Sequence, residues 1–476
     1  LLLLLGTVGG YFGFSGRGRS GPIESLAVLP FVNASGNADV EYLSDGMTET
    51  LIGSLSQLPN LTVKARSSVF RYKGKELDLP KVAQELKVQA ILMGRVVQHG
   101  DQMTLSLELV DTQTENAIWS EQYNRKQTDL ISLQSEIARD VSQKLRTKLS
   151  GADEQKLTKK HTENPEAYKL YLQGNFYANR RTAKEEQQAI ENFQRAIAID
   201  PNYALAYAGL ANAYMFLTLY GDMPANEAFP KAREMVSKAL ELDNTLAEPH
   251  GTLGLILLQQ DRDFAGSERE ARRALELNPN YAEGHRRNGL RLMLSGRHEE
   301  ALAAFRRALE IDPLSSAINM TYGTGLLYAG RFDESEAQLK QTLSLDANFW
   351  LTHYNLYNLY RLKGDHAAAI EALAKSQELK DEPDAAKFIR ESFAKGGWPG
   401  LLRAVTAERT RAKLPPYVLS TFEAEMGEKD KAFALLNEAD EKRDQFFIFR
   451  RIDPLMNPLR SDPRFQELLK KGASSR

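Results

Sequence analysis

The chain has 476 residues, 42% of them hydrophobic and 26% charged, the balance of an ordinary folded protein with room for two or three structural units. A formal net charge of -2 gives no electrostatic case for nucleic acid as a partner. Cysteine is absent, which excludes disulfides, thiolate nucleophiles and cysteine metal sites.

Residues 1–14 are apolar and uncharged, from Leu1 to Phe14, and the first residue is not methionine. Fourteen residues fall short of the ~20 that span a bilayer as a helix. The expectation is the C-terminal end of a transmembrane helix in a fragment of a longer chain. A signal-peptide core is the alternative, although no small-x-small cleavage site follows. Residues 15–22 read as a linker. Their Gly16-x-Gly18-x-x-Gly21 spacing matches a dinucleotide fingerprint only formally, because it does not follow a strand and open a helix.

Residues 23–150 alternate strand and helix patterns. Ser25 to Phe31 suits a buried strand. A helix follows, with Leu43, Met47, Leu51, Ile52, Leu55 and Leu58 on one face and Ser44 or Asp45 as its expected cap. Leu61 to Ala65 reads as a strand, and Leu79 to Leu86 as a helix with Pro80 in its first turn. Ile91 to Val97 is a strand, and His99 to Gln102 a turn. Met103, Leu105, Leu107 and Leu109 then alternate with polar residues, as in a half-buried strand. Ala117 to Tyr123 gives another strand, and Leu130 to Leu145 a closing amphipathic helix. The order β-α-β-α-β-β-β-α predicts a mixed α/β sheet domain with helices packed on it.

Ala27 to Asn33 followed by Tyr42 to Glu49 resembles the opening of the TolB amino-terminal-like domain, a group similar to FlgO-type domains of the bacterial envelope. Ala65 to Ser68, Tyr72 to Gly74, Gly94 to Val96 and Ile118 to Tyr123 fit the same pattern in order. The resemblance covers residues 24 to 149 and implies fold and architecture, not a reaction. Ser44-Asp45-Gly46 and Arg66-Ser67-Ser68 place hydroxyls and carboxylates near strand ends, where open α/β sheets bind ligands. A nucleophilic serine needs a base, and the domain's one histidine, His99, sits in a hairpin turn. No catalytic, cofactor or metal residue is assigned.

From about residue 165 a phrase returns at Ile199-Asp200-Pro201, Leu242-Asp243-Asn244, Leu277-Asn278-Pro279, Ile311-Asp312-Pro313 and Leu345-Asp346-Ala347. A period near 34 residues is two helices and two turns. Gly254, Gly289 and Gly323 form a small-residue column in the first helices, with Tyr177 and Ala211 before them and Tyr357 after. Ala189, Ala232, Gly266, Ala301, Ser335 and Ala369 form another in the second helices. Phe193, Val236, Phe305, Leu339 and Leu373 are the expected core behind it. This arrangement resembles the tetratricopeptide repeat (TPR). Six repeats are read at 168–201, 204–244, 247–279, 282–313, 316–347 and 350–381, then degenerate pairs near 384–411 and 416–442. The solenoid spans 165–442, and 443–476 reads as a C-terminal cap. The fold class is therefore α+β multidomain, a mixed sheet domain followed by an all-α superhelix.

The TPR resemblance implies a groove, lined by the first helices, that holds an extended peptide or helix. Carried over residue by residue, its columns give Asn212, Arg286, Arg287, Thr324, Tyr354, Asn355, Asn358 and Arg361. The three arginines suit a carboxylate or phosphate and the asparagines a peptide backbone. The alternative is that these side chains form only a solvated inner face. His250, His285, His298, His353 and His366 lie on separate helices without i,i+4 pairing, so no metal site is read there.

No kinase glycine-rich loop in context, His-Arg-Asp, Asp-Phe-Gly or Walker motif is present. The expected function is a membrane-tethered protein–protein interaction scaffold or sensor, not itself an enzyme. The order of its parts resembles the regulatory half of bacterial membrane-anchored serine/threonine kinases or adenylate cyclases. A free-standing FlgO-like envelope assembly protein is the alternative. Either places the chain at a bacterial membrane, held by residues 1–14, with the folded part expected on the extracytoplasmic side; Arg17 and Arg19 argue the other way. A homodimer is left open.

Overall fold

The computed structural model of the protein describes residues 22–37, 40–145, 150–180, 182–220, 223–407 and 414–471. The apolar segment 1–14 and the linker up to residue 21 lie outside the described residues. Among the described residues no helix is long and apolar enough to cross a membrane.

The first domain is built on a six-stranded sheet: β1 (Ser25–Val28), β2 (Val32–Asn33), β3 (Thr62–Val63), β4 (Ala90–His99), β5 (Gln102–Asp111) and β6 (Ala117–Lys126). The order is β3-β1-β4-β5-β6, and β2 pairs with β4. β1 runs parallel to β3 and β4, whereas β4, β5 and β6 form an antiparallel meander. The alternation in β5 explains its pose, since Met103, Leu105, Leu107 and Leu109 are buried and Glu108 is exposed. Gly100, at φ 63°, supplies the left-handed residue of the β4–β5 turn. The helices are α1 (Glu41–Ser56), α2 (Arg66–Val69), α3 (Leu79–Leu86) and α4 (Leu130–Lys144). Asp78 caps α3 by accepting from the Lys81 amide at 3.2 Å, with Pro80 in the first turn. The mixed sheet domain is as expected, with the two-residue β2 and the one-turn α2 as additions.

One expectation is corrected. Neither Ser44 nor Asp45 caps α1, which begins at Glu41 with no side-chain cap. Tyr42 and Leu43 are already buried, so the apolar face starts before Ser44 and the helix start moves back with it. Ser44 Oγ donates to the Glu41 carbonyl, and Asp45 pairs with the Lys73 ammonium at 2.6 Å.

After α5 (Gly151–Thr158) come the helix pairs α6 (Pro165–Ala178) and α7 (Ala183–Ile199), α8 (Ala204–Tyr220) and α9 (Ala225–Leu242), and α10 (Ala247–Ile256) and α11 (Phe264–Leu277). They continue as α12 (Ala282–Leu294) and α13 (His298–Ile311), α14 (Ser316–Tyr328) and α15 (Phe332–Leu345), and α16 (Trp350–Lys363) and α17 (His366–Leu379). α18 (Pro383–Thr406) is broken at Gly397, and α19 (Pro416–Glu425) pairs with α20 (Lys429–Glu441). Two 3-10 segments, Gln445–Arg451 and Pro454–Leu459, lead to α21 (Pro463–Lys471).

The recurring acidic or amide residue has a visible task. Asp200, Asp243, Asn278 and Asp346 each end a second helix, and each side chain accepts from the amide two residues on, at 3.0 to 3.1 Å. That Asx turn redirects the chain into the next helix. A second device recurs one turn later. His250, His285 and His353 each donate from Nε2 to the carbonyl six residues back, at 2.9 to 3.1 Å, and Asn319 does the same from Nδ2. These histidines staple the turns.

Glycine marks the close crossings. A Cβ on Gly289 would lie 2.4 Å from the Phe305 ring, and one on Gly323 2.8 Å from Leu339. In the first repeat the column belongs to Gly174, where a Cβ would meet Phe193 at 2.5 Å, and not to Tyr177. The offset arises because α7 has 17 residues where α13 has 14, and the extra residues precede Ala189. Gly289→Ala is expected to lower stability by about 1–3 kcal/mol through overpacking against Phe305. Urea denaturation reads this, and an unchanged midpoint would show that the ring swings aside freely.

The two parts share one core. Gly46 lets α1 approach α6, with Leu172 2.9 Å from where a Cβ would stand. Tyr168 OH donates to Gln134 on α4 at 2.6 Å, and Asn179 Nδ2 to Glu49 on α1 at 2.9 Å.

Candidate functional site

Successive first helices of the pairs touch one another along the solenoid, more closely than successive second helices do. That asymmetry makes the first-helix side the concave face. The candidate residues fall into three groups on it.

Asn212, Arg286 and Arg287 join one network. Arg287 Nε donates to Glu283 at 2.9 Å and its Nη1 to Thr252 Oγ1 at 2.8 Å, while Thr252 donates to Asn212 Oδ1 at 2.8 Å. Arg286 grips the same Glu283 through Nε and Nη2 at 2.7 and 2.5 Å. Burial works to raise the Glu283 carboxyl, but Arg286 and then Arg287 hold it down to about 2. Glu248 goes the other way, because burial pushes it above the usual carboxylate range. A gap of about 10 Å³ beside Arg287, between Gly251, Gly254 and Gly284, has room for about one water and no small-molecule ligand.

Thr324 and Asn355 form a second group, with Thr324 Oγ1 donating to Asn355 Oδ1 at 3.0 Å. Tyr354 and Asn358 interact one turn further along α16. Arg361 stands apart from both. Its side chain is 2% exposed, its Nε donates to Glu425 at 2.7 Å, and Nη1 and Nη2 donate to Thr421 at 3.1 and 3.0 Å. The α19 helix closes over it, so this guanidinium is not presented to a ligand.

The chain's own C-terminal part occupies much of the second half of this face. Phe447, Met456, Leu459, Phe465 and Leu468 pack on the last helix pair, with Tyr417, Phe433 and Leu436. Ile448 and Ile452 instead enter a core with Leu258, Leu294, Phe305 and Leu326. Phe449 stacks on Tyr328, with centroids 5.7 Å apart. Arg262 pairs with Asp440, and Arg443 donates to the Gln260 carbonyl at 3.4 Å. Sequence columns missed Tyr328, although it lies one turn beyond Thr324 on α14. The available signal was the aromatic run Phe446-Phe447-Ile448-Phe449 in a segment otherwise read as a cap.

The strand-end hydroxyls are also spent internally. Ser67 and Ser68 both donate to Asp312, Ser68 at 2.6 Å. Ser68 Oγ accepts from the Leu314 amide at 2.9 Å, taking the place that the Asx turn fills in other repeats. The Ala65 amide donates to the Ile311 carbonyl at 3.1 Å, and Lys64 Nζ to that of Glu310. The carboxyl end of β3 is therefore covered by a loop of the solenoid. Asn280 reinforces the joint nearby, with Nδ2 donating to the carbonyls of Ser56, Leu58 and Leu61 at 3.0, 3.2 and 2.8 Å.

Lys64 gives this joint a pH signature. Burial, aided by the Arg307 guanidinium, pulls its ammonium from 10.5 down to about 8. Between those values the unfolded chain binds more protons at Lys64 than the folded one, so stability from this group rises with pH across the window. Urea midpoints at about pH 7.5 and about pH 9.5 should separate in that sense for the natural chain, and Lys64→Met should remove the Lys64 share. Equal separation in both proteins would overturn this account.

Among the described residues no group of three or more His, Asp or Glu is placed to hold a metal ion. Family models match in two zones. The second domain of HilA/YgeH-like transcriptional regulators matches residues 23–140, and tetratricopeptide models match 185–216, 252–316 and 292–357. The repeats are thus tetratricopeptide repeats. The sheet domain is matched as HilA-like, where its motifs had suggested the TolB and FlgO groups.

A Rhizobium meliloti (strain 1021) protein named "Putative adenylate cyclase 3" is 34% identical over 236 residues, covering 49% of this chain and 40% of that protein. Transcriptional regulator HilA of Salmonella paratyphi A (strain ATCC 9150 / SARB42) is 25% identical over 282 residues, covering 59% and 49%. The chain therefore spans less than half the length of these curated relatives. Among solved structures, the type IV pilus biogenesis factor PilW is 19% identical, covering 47% of this chain and 98% of its own, at a TM-score of 0.37. YrrB, described as a TPR protein with an unusual peptide-binding site, is 21% identical, covering 42% and 97%, at 0.29.

Proposed function

We propose that the chain is the regulatory and scaffolding part of a bacterial signalling protein of adenylate cyclase type, which recruits a protein partner on its tetratricopeptide face. The supporting observation is the 34% identity to the protein named as a cyclase, of which this chain accounts for 40%. The rest of such a protein would carry the catalysis, and a serine/threonine kinase in that place is the close variant of this reading. Residues 1–14 would tether the module to the membrane, with the folded part on the extracytoplasmic side.

On the concave face, the network around Glu283 is the place for an acidic partner. A carboxylate from the partner would exchange with Glu283 on Arg286, whose side chain is 21% exposed. The region around Tyr328 and Arg361 is already filled by the chain itself. A second reading is favoured by the HilA-like match at residues 23–140 and joins the same module to a transcriptional regulator.

The in-frame coding sequence ahead of Leu1 tests both. A cyclase or kinase domain there upholds the first reading, and a DNA-binding domain selects the second. A start codon immediately ahead of Leu1 overturns both.

A further inference from the structure

The two edges of the sheet are unlike. On one side β3 has two residues, and the solenoid loop at Ile311 to Leu314 lies against the chain as it leaves that strand. On the other side β6 has ten residues and no proline, is mostly exposed, and pairs with β5 alone among the described residues. Long free edges are usually blunted by shortness, proline, a covering element, a bulge or charged side chains. β6 lacks the first three, and carries a register shift opposite Leu109 and Val110 together with charges at Glu121, Arg125 and Lys126 that only a complementary partner would match.

Its hydrogen-bonding phase can be read. The Gln127 amide donates to the Asp101 carbonyl at 2.9 Å, and the register runs from Gln102 opposite Lys126 to Leu107 opposite Glu121. Antiparallel pairs alternate between bonded and non-bonded, so Arg125, Tyr123 and Glu121 turn their backbone groups toward β5. Lys126, Asn124, Gln122 and Ser120 turn theirs outward, away from β5. Of these the Asn124 carbonyl accepts from its neighbour Arg125 Nη1 at 3.0 Å, a side-chain bond that an incoming strand would displace.

We infer that two copies of the chain associate edge to edge through β6, antiparallel about a two-fold axis at Tyr123, fusing the two sheets into one. The charges choose that register. An axis at Glu121 sets two like charges opposite each other, and an axis at Gln122 or Asn124 opposes no acid to a base. With the axis at Tyr123, Glu121 faces the Arg125 of the second copy, and the pair occurs twice. These are non-bonded pairs, in which opposed side chains stand closest. Gln122 then meets Asn124 in a bonded pair, amide against amide. Within its own chain Arg125 pairs with Glu136 at 2.9 Å, whereas Glu121 has no ion pair among the described residues. A second copy supplies the missing base. The association is independent of which catalytic or regulatory unit the module serves.

The test uses the full chain in mild detergent, since residues 1–14 are apolar, and exploits the absence of cysteine. Gln122→Cys with Asn124→Cys should give a disulfide-linked dimer on gentle oxidation. Adding Glu121→Arg opposes like charges twice and should weaken association about tenfold, with loss of the covalent dimer. Adding Arg125→Glu as well restores complementary pairs and should bring the dimer back. Glu121 is exposed, so its reversal leaves the fold intact. Absence of a covalent dimer, a dimer indifferent to Glu121→Arg, or failure of the double reversal to rescue it would each overturn the inference.

Discussion

Asn280→Ala is expected to loosen the joint between the sheet domain and the repeats by about 2–4 kcal/mol. The Asn280 amide spreads its two hydrogens over the carbonyls of Ser56, Leu58 and Leu61, and its oxygen accepts from Arg307 at 3.2 Å. All of this lies where α1 ends, with Leu58 and Leu61 buried. Removing the donor takes this partner from the buried Ser56 and Leu61 carbonyls, while that of Leu58 keeps the Leu61 amide at 3.3 Å. An unmade buried hydrogen bond costs more than a made one contributes. Asn280→Asp should be no milder, because a carboxylate would face those same carbonyls. The readouts are the urea midpoint and the rate of protease cleavage between α4 and α6. An unchanged midpoint with unchanged cleavage would mean that the joint is held elsewhere.

Arg361→Ala carries the other large effect, a loss of about 2–3 kcal/mol, because a buried guanidinium gives up charged hydrogen bonds to Glu425, which is partly exposed, and to Thr421. Its guanidinium joins α16 to α19 through Glu425 and Thr421, and lies 4.5 Å from the Phe422 ring centroid. Trp398 shares Glu425, donating from Nε1 at 2.7 Å. Arg361→Lys should recover little, since an ammonium cannot reproduce the planar fork. Thermal melting decides the matter. A variant that melts like the natural chain but loses partner binding would return Arg361 to the ligand-facing set.

How far the sequence reaches is clearest at individual positions. The 34-residue period was legible because the same physical tasks recur, with an Asx turn at Asp200 or Asp346 and a small residue at Gly289 or Gly323. The column slipped to Tyr177 where α7 is longer than its counterparts, since fixed spacing cannot register an added helical turn. The cap of α1 was misplaced because Ser44 looked like a starting residue, while the burial of Tyr42 and Leu43 depended on the tertiary core. The site was legible only as a set of columns. Whether a column residue stays free is settled by segments far along the chain, as Thr421 and Glu425 settle it for Arg361 and Phe449 for Tyr328. The pairing of Ser67 and Ser68 with Asp312 spans some 245 positions, and no local pattern announces it.

The bond between Arg262 and Asp440 changes what kind of object the solenoid is. An open stack of helix pairs behaves like a spring, in which each repeat feels only its neighbours and melting creeps in from a loose end. Here the far end is clasped to the middle, with Phe447 under Arg262 at 4.9 Å and Ile448 sunk among Leu258, Leu294 and Phe305. Fraying at the C-terminus would therefore have to break contacts with the third, fourth and fifth repeats, and α10 to α20 are expected to melt together. Any partner on the concave face would then meet a cradle tied at two points, and would have to bring the matching shape itself.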